Sequence, residues 1–120
     1  MNILNGSTCL LHQDLHIKNT DDHLRNHGFL LTAKGWKLSP AYDMNPNEYG
    51  SGLSLNISET DNSLDLDLAI SIADFFRINK KQAKKIIDKI KLAVKDWRAI
   101  AKYIGISKSE QDRMQTAFTA

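Results

Sequence analysis

The chain has little of what would stiffen or anchor it by covalent or membrane means. With one cysteine, Cys9, in 120 residues there is no internal disulfide, and the plain expectation is a reduced, cytoplasmic setting. Cys9 has no basic neighbour in sequence to activate it, so it reads as an inert thiol. There are two prolines, Pro40 and Pro46, close together, so no other segment is barred from regular structure. The start, "MNILNGSTCLLHQDLH", has neither a basic n-region nor an apolar run long enough for a signal peptide or a membrane span. No internal repeat and no low-complexity tract is present. What remains is an ordinary globular composition, 42% hydrophobic and 25% charged. The length suits one domain with a real core, small for an enzyme that must enclose a large substrate.

Net charge is +2, but it is unevenly spread. Residues 1–76 carry four Lys or Arg against ten Asp or Glu, net −6, and residues 77–120 carry twelve against four, net +8. A basic half can signal a nucleic-acid partner. Here the lysines lie mostly off the apolar stripe of a helix, with no aromatic residue interleaved to stack on bases. A solvated face is the better reading, and direct nucleic-acid binding is not expected.

That stripe is Ala83, Ile86, Ile87, Ile90, Val94, Trp97, Ala101 and Ile104, the i, i+3, i+4, i+7 pattern of one amphipathic helix over 80–104. Asn79 and Gln82 form a capping box at its start, and Gly105 ends it. Ser107 and Glu110 open a short final helix. Ala69, Ile72, Ala73 and Phe76 predict a further helix upstream, although "LDLDL" at its start alternates like a strand. Residues 64–118 are therefore expected to form a helical bundle burying Ile86, Ile90, Trp97 and Ile104. Upstream, "GFLLT" and "WKLSP" flank "AKG" as a small hairpin, and "NPNEYGSG" reads as a loop. The fold class is mainly α with a small β-hairpin. Residues 1–18 show no clear periodicity and are expected to be a poorly anchored lead to a domain over 19–120.

Immediately before the hairpin, "NTDDHLRNHGFLL" (19–31) crowds polar groups against an apolar run. Asp21 is followed five residues later by Asn26, and Asp43 lies beyond the hairpin, so two carboxylates and a carboxamide can converge at its open end. Oxygen ligands of this kind suit Mg²⁺, which takes few protein ligands and shares its shell with phosphates. Asp-x₄-Asn is also the spacing at which a kinase catalytic loop places its base and a metal ligand. Alone it is weak; Asp43 strengthens it.

Together, "NTDDHLRNHGFLL" and "GWKLSPAYDMNP" resemble the catalytic and metal-binding segments of the HipA family of toxin kinases, bacterial serine/threonine kinases with an atypical kinase-like fold. The resemblance spans 19–47, and the helices through 118 suit that family's C-terminal lobe. It implies Asp21 as catalytic base, Asn26 as metal ligand, and Asp43, in Tyr42-Asp43-Met44, as the second metal ligand. It gives His23 a packing role that holds the loop, with Arg25 solvated and Tyr42 beside the metal-binding aspartate. It further implies Mg²⁺ and ATP for the full-length family, a protein substrate, and a helix-turn-helix antitoxin as partner. Within these residues there is no glycine-rich loop and no strand lysine to clamp a nucleotide; Gly50-Ser51-Gly52 reads as a turn. The chain alone is expected to hold no cofactor tightly and to be inactive, as a C-terminal lobe without its partner lobe.

Two rival readings come from other classes. His12/His16 and His23/His27 are i, i+4 pairs that suit zinc on a helix, but "HQDLH" lacks the glutamate of a zinc-protease helix and a closed site usually recruits several cysteines. The other is a non-enzymatic module that binds the antitoxin through its oppositely charged halves.

Overall fold

A computed structural model describes residues 3–118. In chain order it contains α1 (Ile3–Ile17), β1 (Phe29–Thr32), β2 (Gly35–Leu38), α2 (Leu66–Ser71), α3 (Lys80–Val94), α4 (Trp97–Tyr103) and α5 (Lys108–Met114). Short 3₁₀ turns lie at Leu24–Asn26, Ala73–Phe76 and Gln115–Ala117. No described helix is long and apolar enough to cross a membrane.

The expectation for residues 1–18 is corrected at once. Residues 3–17 form α1, which packs along α3 and also meets α2 and the turn at 73–76. Its inward stripe is Thr8, His12 and Leu15, continued by Asn19 just past its end, all buried, with buried Asp14 and His16 beside it. Those positions repeat at helical spacing, but with one exception they are polar, so hydrophobicity alone does not reveal the face. The helix closes in a Schellman arrangement, with Lys18 left-handed at φ 47° and the Asn19 N–H reaching the Asp14 carbonyl at 2.9 Å.

α3 forms as its sequence predicts. Asn79 and Gln82 make the reciprocal capping box, and Ala83, Ile87 and Ile90 turn inward while the lysines face water. The single helix over 80–104 does not hold. It breaks at Lys95–Asp96, after β-branched Val94 and at an aspartate that favours helix ends over helix interiors. The break lets Trp97 stack on Phe118, ring centroids 4.3 Å apart, and packs α4 against α5. It also rotates the stripe: Ala101 is buried, whereas Ile104, expected in the core, is 65% exposed. Gly105, at φ 88°, ends α4 as expected, and the Ile106 N–H returns to the Ala101 carbonyl at 2.9 Å. α5 starts on the Ser107/Glu110 capping box.

The strand alternative for "LDLDL" is settled by Asp65, whose side chain accepts from the N–H groups of Asp67 and Leu68 and starts α2. The core has two adjoining parts. One gathers Leu15, Leu53, Ile57, Ala69 and Ile72, and the other Ala73, Ile78 and Ala83, with Phe76 packed against both. β1 and β2 pair antiparallel from Phe29–Leu38 to Thr32–Gly35, joined by Ala33 and Lys34. Chain reversal falls to Gly35 at φ 102°. About half of the chain is thus helical, with one small hairpin.

Candidate functional site

Two loops meet at the C-terminal end of α1, held together by side chains and by backbone bonds outside regular structure, from the Asn47 N–H to the Lys18 carbonyl at 3.1 Å and from the Ser54 N–H to the Thr20 carbonyl at 3.2 Å. The first is 18–28, leading into the hairpin; the second is 39–54, leaving it. Asn19 is the main junction. Its Nδ2 donates to Asp14 Oδ1 at 2.8 Å, and its Oδ1 accepts the Asn45 N–H at 3.3 Å. Thr20 is the next: its carbonyl accepts the Ser54 hydroxyl at 2.7 Å and its hydroxyl accepts Asn47 Nδ2 at 2.8 Å. Gly50 lies so close to Thr20 that a Cβ there would run into the Thr20 methyl. The glycines at 50 and 52 therefore serve backbone packing: Gly52 bridges Ser63.

Within this frame the predicted residues can be placed. Asp21 is exposed on the turn after Thr20. His23 precedes the 3₁₀ turn in an extended conformation, half-buried, with its Nδ1 buried and unpartnered. Asn26 is the buried member of that turn; its N–H bonds the His23 carbonyl at 2.8 Å, and its Nδ2 is buried without a partner. Arg25 is exposed, and its contribution is its backbone: the Tyr42 hydroxyl donates to the Arg25 carbonyl at 2.7 Å. That bond ties the segment carrying Asp43 to the turn carrying Asn26. Asp43 is exposed in a left-handed conformation, φ 56°, and its Oδ1 accepts from Asn45 Nδ2 at 2.9 Å. Left-handed backbone is uncommon outside glycine, costs energy, and concentrates at functional sites.

The zinc reading fares differently. His27 is not on a helix with His23; its Nε2 lies 2.7 Å from Asp22 Oδ2. His12 and His16 do share α1, but both are fully buried and His16 Nδ1 is engaged by the His12 carbonyl at 2.7 Å. Among the described residues no three His, Cys, Asp or Glu side chains are grouped to hold a metal ion. Burial accordingly pushes His12 down to about 4, with neighbouring His16 adding to the effect, and lowers His16 as well.

Sequence reasoning missed Asp14. This carboxyl is buried under the loop, and burial, with help from Asp22 and against the Asn19 hydrogen bond, pushes it up to about 8. Asp22 is joined to His27 at 2.7 Å, and both line one cavity with Asp14. The signal that could have found Asp14 is its place beside the His12–Leu15–Asn19 stripe of a helix that ends in a polar hub.

No curated protein and no solved structure matches this chain significantly. A family model does, across residues 11–97, and it therefore covers α1 from Leu11, both loops, the hairpin and the bundle through α3. Its description is the HipA-like C-terminal domain. A match over most of the chain, taking in the two loops that its polar hub joins, makes this chain a member of the HipA-like C-terminal domain family.

Proposed function

We propose that this domain supplies the catalytic base and the metal ligands of a Mg²⁺- and ATP-dependent protein serine/threonine kinase. The observation that carries the reading is the Tyr42–Arg25 bond, because it joins the Asp43 segment to the Asn26 turn across the hairpin. Asp21, exposed and adjacent in the same loop, is free to accept the proton of an attacking hydroxyl. Asn26 and Asp43 offer the hard oxygen donors that Mg²⁺ prefers. The donor chemistry fits such an ion, since the Asn26 carboxamide oxygen and the Asp43 carboxylate are hard ligands, and the Asn26 amide nitrogen, which cannot ligate, is buried without a partner. Mg²⁺, when bound, would neutralise charge developing on the transferred phosphoryl group. Asn19, Thr20 and Tyr42 hold the loops in register, and positioning supplies much of the rate in this chemistry. Within these 120 residues there is no glycine-rich loop and no strand lysine to clamp a nucleotide.

The direct test is a Mg²⁺ titration of the ¹⁵N-labelled chain followed by amide shifts. Saturable shifts at Asn26 and Asp43 and their neighbours, lost in Asp43→Ala, are expected. Shifts scattered over the acidic surface, or identical in Asp43→Ala, would remove the metal site from the proposal.

A further inference from the structure

The hairpin gathers four apolar side chains on one face. Phe29 stands opposite Leu38 and Leu31 opposite Trp36, and residues two apart along a strand point the same way, so these four share a face while Leu30 and Lys37 take the other. Among the described residues no third strand joins the sheet. The face is left largely in water: Phe29 is 52% exposed, Trp36 61% and Leu31 69%. Contiguous apolar surface of this kind marks a place where something docks.

At its base the same face runs into a cavity of about 430 Å³. Phe29 and Leu38 belong to both, and Leu11, Leu53, Leu55 and Phe76 supply much of the remaining wall. No lysine or arginine lines the cavity, and its carboxylates are already engaged, Asp22 by His27 at 2.7 Å and Asp14 by Asn19 at 2.8 Å. The recess therefore suits an apolar group rather than an ion. Its volume is that of a small-molecule site, enough to take an indole.

One surface thus holds a recess and, two residues or roughly 7 Å further along the strands, a projecting aromatic side chain, Trp36. Turned end for end about a two-fold axis that crosses the strands between the two side-chain pairs, a second copy brings its own Trp36 over Phe29 and Leu38 at the mouth of the cavity. The contact is satisfied in both directions, as an isologous interface requires, and each hairpin gains the second layer that a sheet with an apolar face needs. The recess opposes no unpaired charge to its own like. Leu24, 76% exposed at the rim, adds to the three exposed hairpin side chains. At roughly 100–150 Å² apiece, these four give about 500 Å² per copy and about 1,000 Å² for a pair, the lower limit of a specific interface. That is the area of a weak, reversible dimer.

We propose that the chain pairs with a second copy of itself through this hairpin face, the Trp36 side chain of each entering the cavity of the other. The cavity lining includes none of Asp21, Asn26 or Asp43, so the pairing stands apart from the phosphoryl-transfer reading.

Sedimentation equilibrium of the chain from about 10 μM to about 1 mM, the range in which an interface of minimal area dissociates, should show monomer giving way to dimer. Trp36→Ser and Leu31→Ser should each weaken the dimer roughly tenfold or more, whereas Tyr103→Ser, at an exposed aromatic side chain of α4, should leave it unchanged. In an equal mixture of ¹³C-labelled and unlabelled chain, isotope-filtered NOE spectra should connect the Trp36 indole of one copy to the Leu53 and Leu55 methyls of the other. Monomer at every concentration, which would leave the face to a different molecule, overturns the proposal. So does a dimer that is as tight in both hairpin variants, one that is lost in Tyr103→Ser instead, or intermolecular contacts that miss the cavity. Trp36 and Leu31 stand mostly in water in the single chain, so far-UV circular dichroism should show both variants folded, and either one alone decides the outcome.

Discussion

Replacing Asp14 by asparagine should change how stability depends on pH in a direction opposite to the usual acid sensitivity of proteins. In the folded chain burial is the main force pushing Asp14 up to about 8, from an ordinary value of 3.8. Between those values the folded chain keeps a proton that the unfolded chain has released, so stability falls as pH rises. His12 works the other way. Held at about 4 against an ordinary 6.5, it costs stability only as pH falls below 6.5, where the unfolded chain charges first. His16 shares that direction. Below 6.5 these histidines and Asp14 therefore oppose one another, and from 6.5 to about 8 the Asp14 effect stands clear of them. A difference of one proton is worth about 1.4 kcal/mol per pH unit, so about 2 kcal/mol should be lost across that window. Asparagine at 14 can still accept from Asn19 and can donate to Asp22, but it cannot ionise. Urea unfolding followed by far-UV circular dichroism, at pH 6.5, at 8 and between, should show the original chain losing stability relative to Asp14→Asn by that amount. Parallel stability lines for the two proteins would refute the reasoning.

Ile87→Ala should cost about 2–5 kcal/mol as a core truncation, whereas Ile104→Ser should stay within about 0.5 kcal/mol because the break after α3 leaves that side chain in water. Equal losses in chemical denaturation would restore the single long helix. Gly50→Ala should cost on the order of 1–3 kcal/mol by pushing Thr20 off its bonds to Asn47 and Ser54; an unchanged urea midpoint would count against that close approach. In a radiolabel assay at saturating Mg·ATP the 120-residue chain should transfer no more label to protein than Asp21→Ala does. Label that disappears in the variant would mean that the chain's own loops clamp the nucleotide.

What the sequence made legible were features with local codes. Both capping boxes, the hairpin around Ala33–Lys34, the Gly105 stop and the inward face of α3 each rest on residues within a few positions of one another. The failures share a different cause. α1 buries Thr8 and His12, and Asn19 just beyond its end, and a stripe made largely of polar residues is invisible to a hydrophobic pattern although its spacing is right. The break at Lys95–Asp96 goes with the stacking of Trp97 on Phe118, twenty-one positions away in sequence, a tertiary contact that the continuous apolar period does not reveal. Asp21, Asn26 and Asp43 stand on the two joined loops, Asn26 buried and the two aspartates exposed, whereas the burial of Asp14 was hinted at in sequence only by its place beside a polar stripe.

That contrast bears on why the interior under the loop is polar at all. Asp14 holds a displaced ionisation equilibrium that costs folding energy at neutral pH, and His12 one that does so below 6.5. A hydrophobic contact would fix the loop only loosely, because apolar attraction has no direction. Asn19 instead spends both ends of its carboxamide, one on Asp14 in α1 and one on the Asn45 N–H two residues beyond Asp43. The helix end, the turn before Asp21 and the segment after Asp43 are thereby set by hydrogen bonds, whose geometry permits little variation. A buried network of this kind trades stability for position, and chemistry that depends on holding a base and two metal ligands in register gains from that exchange.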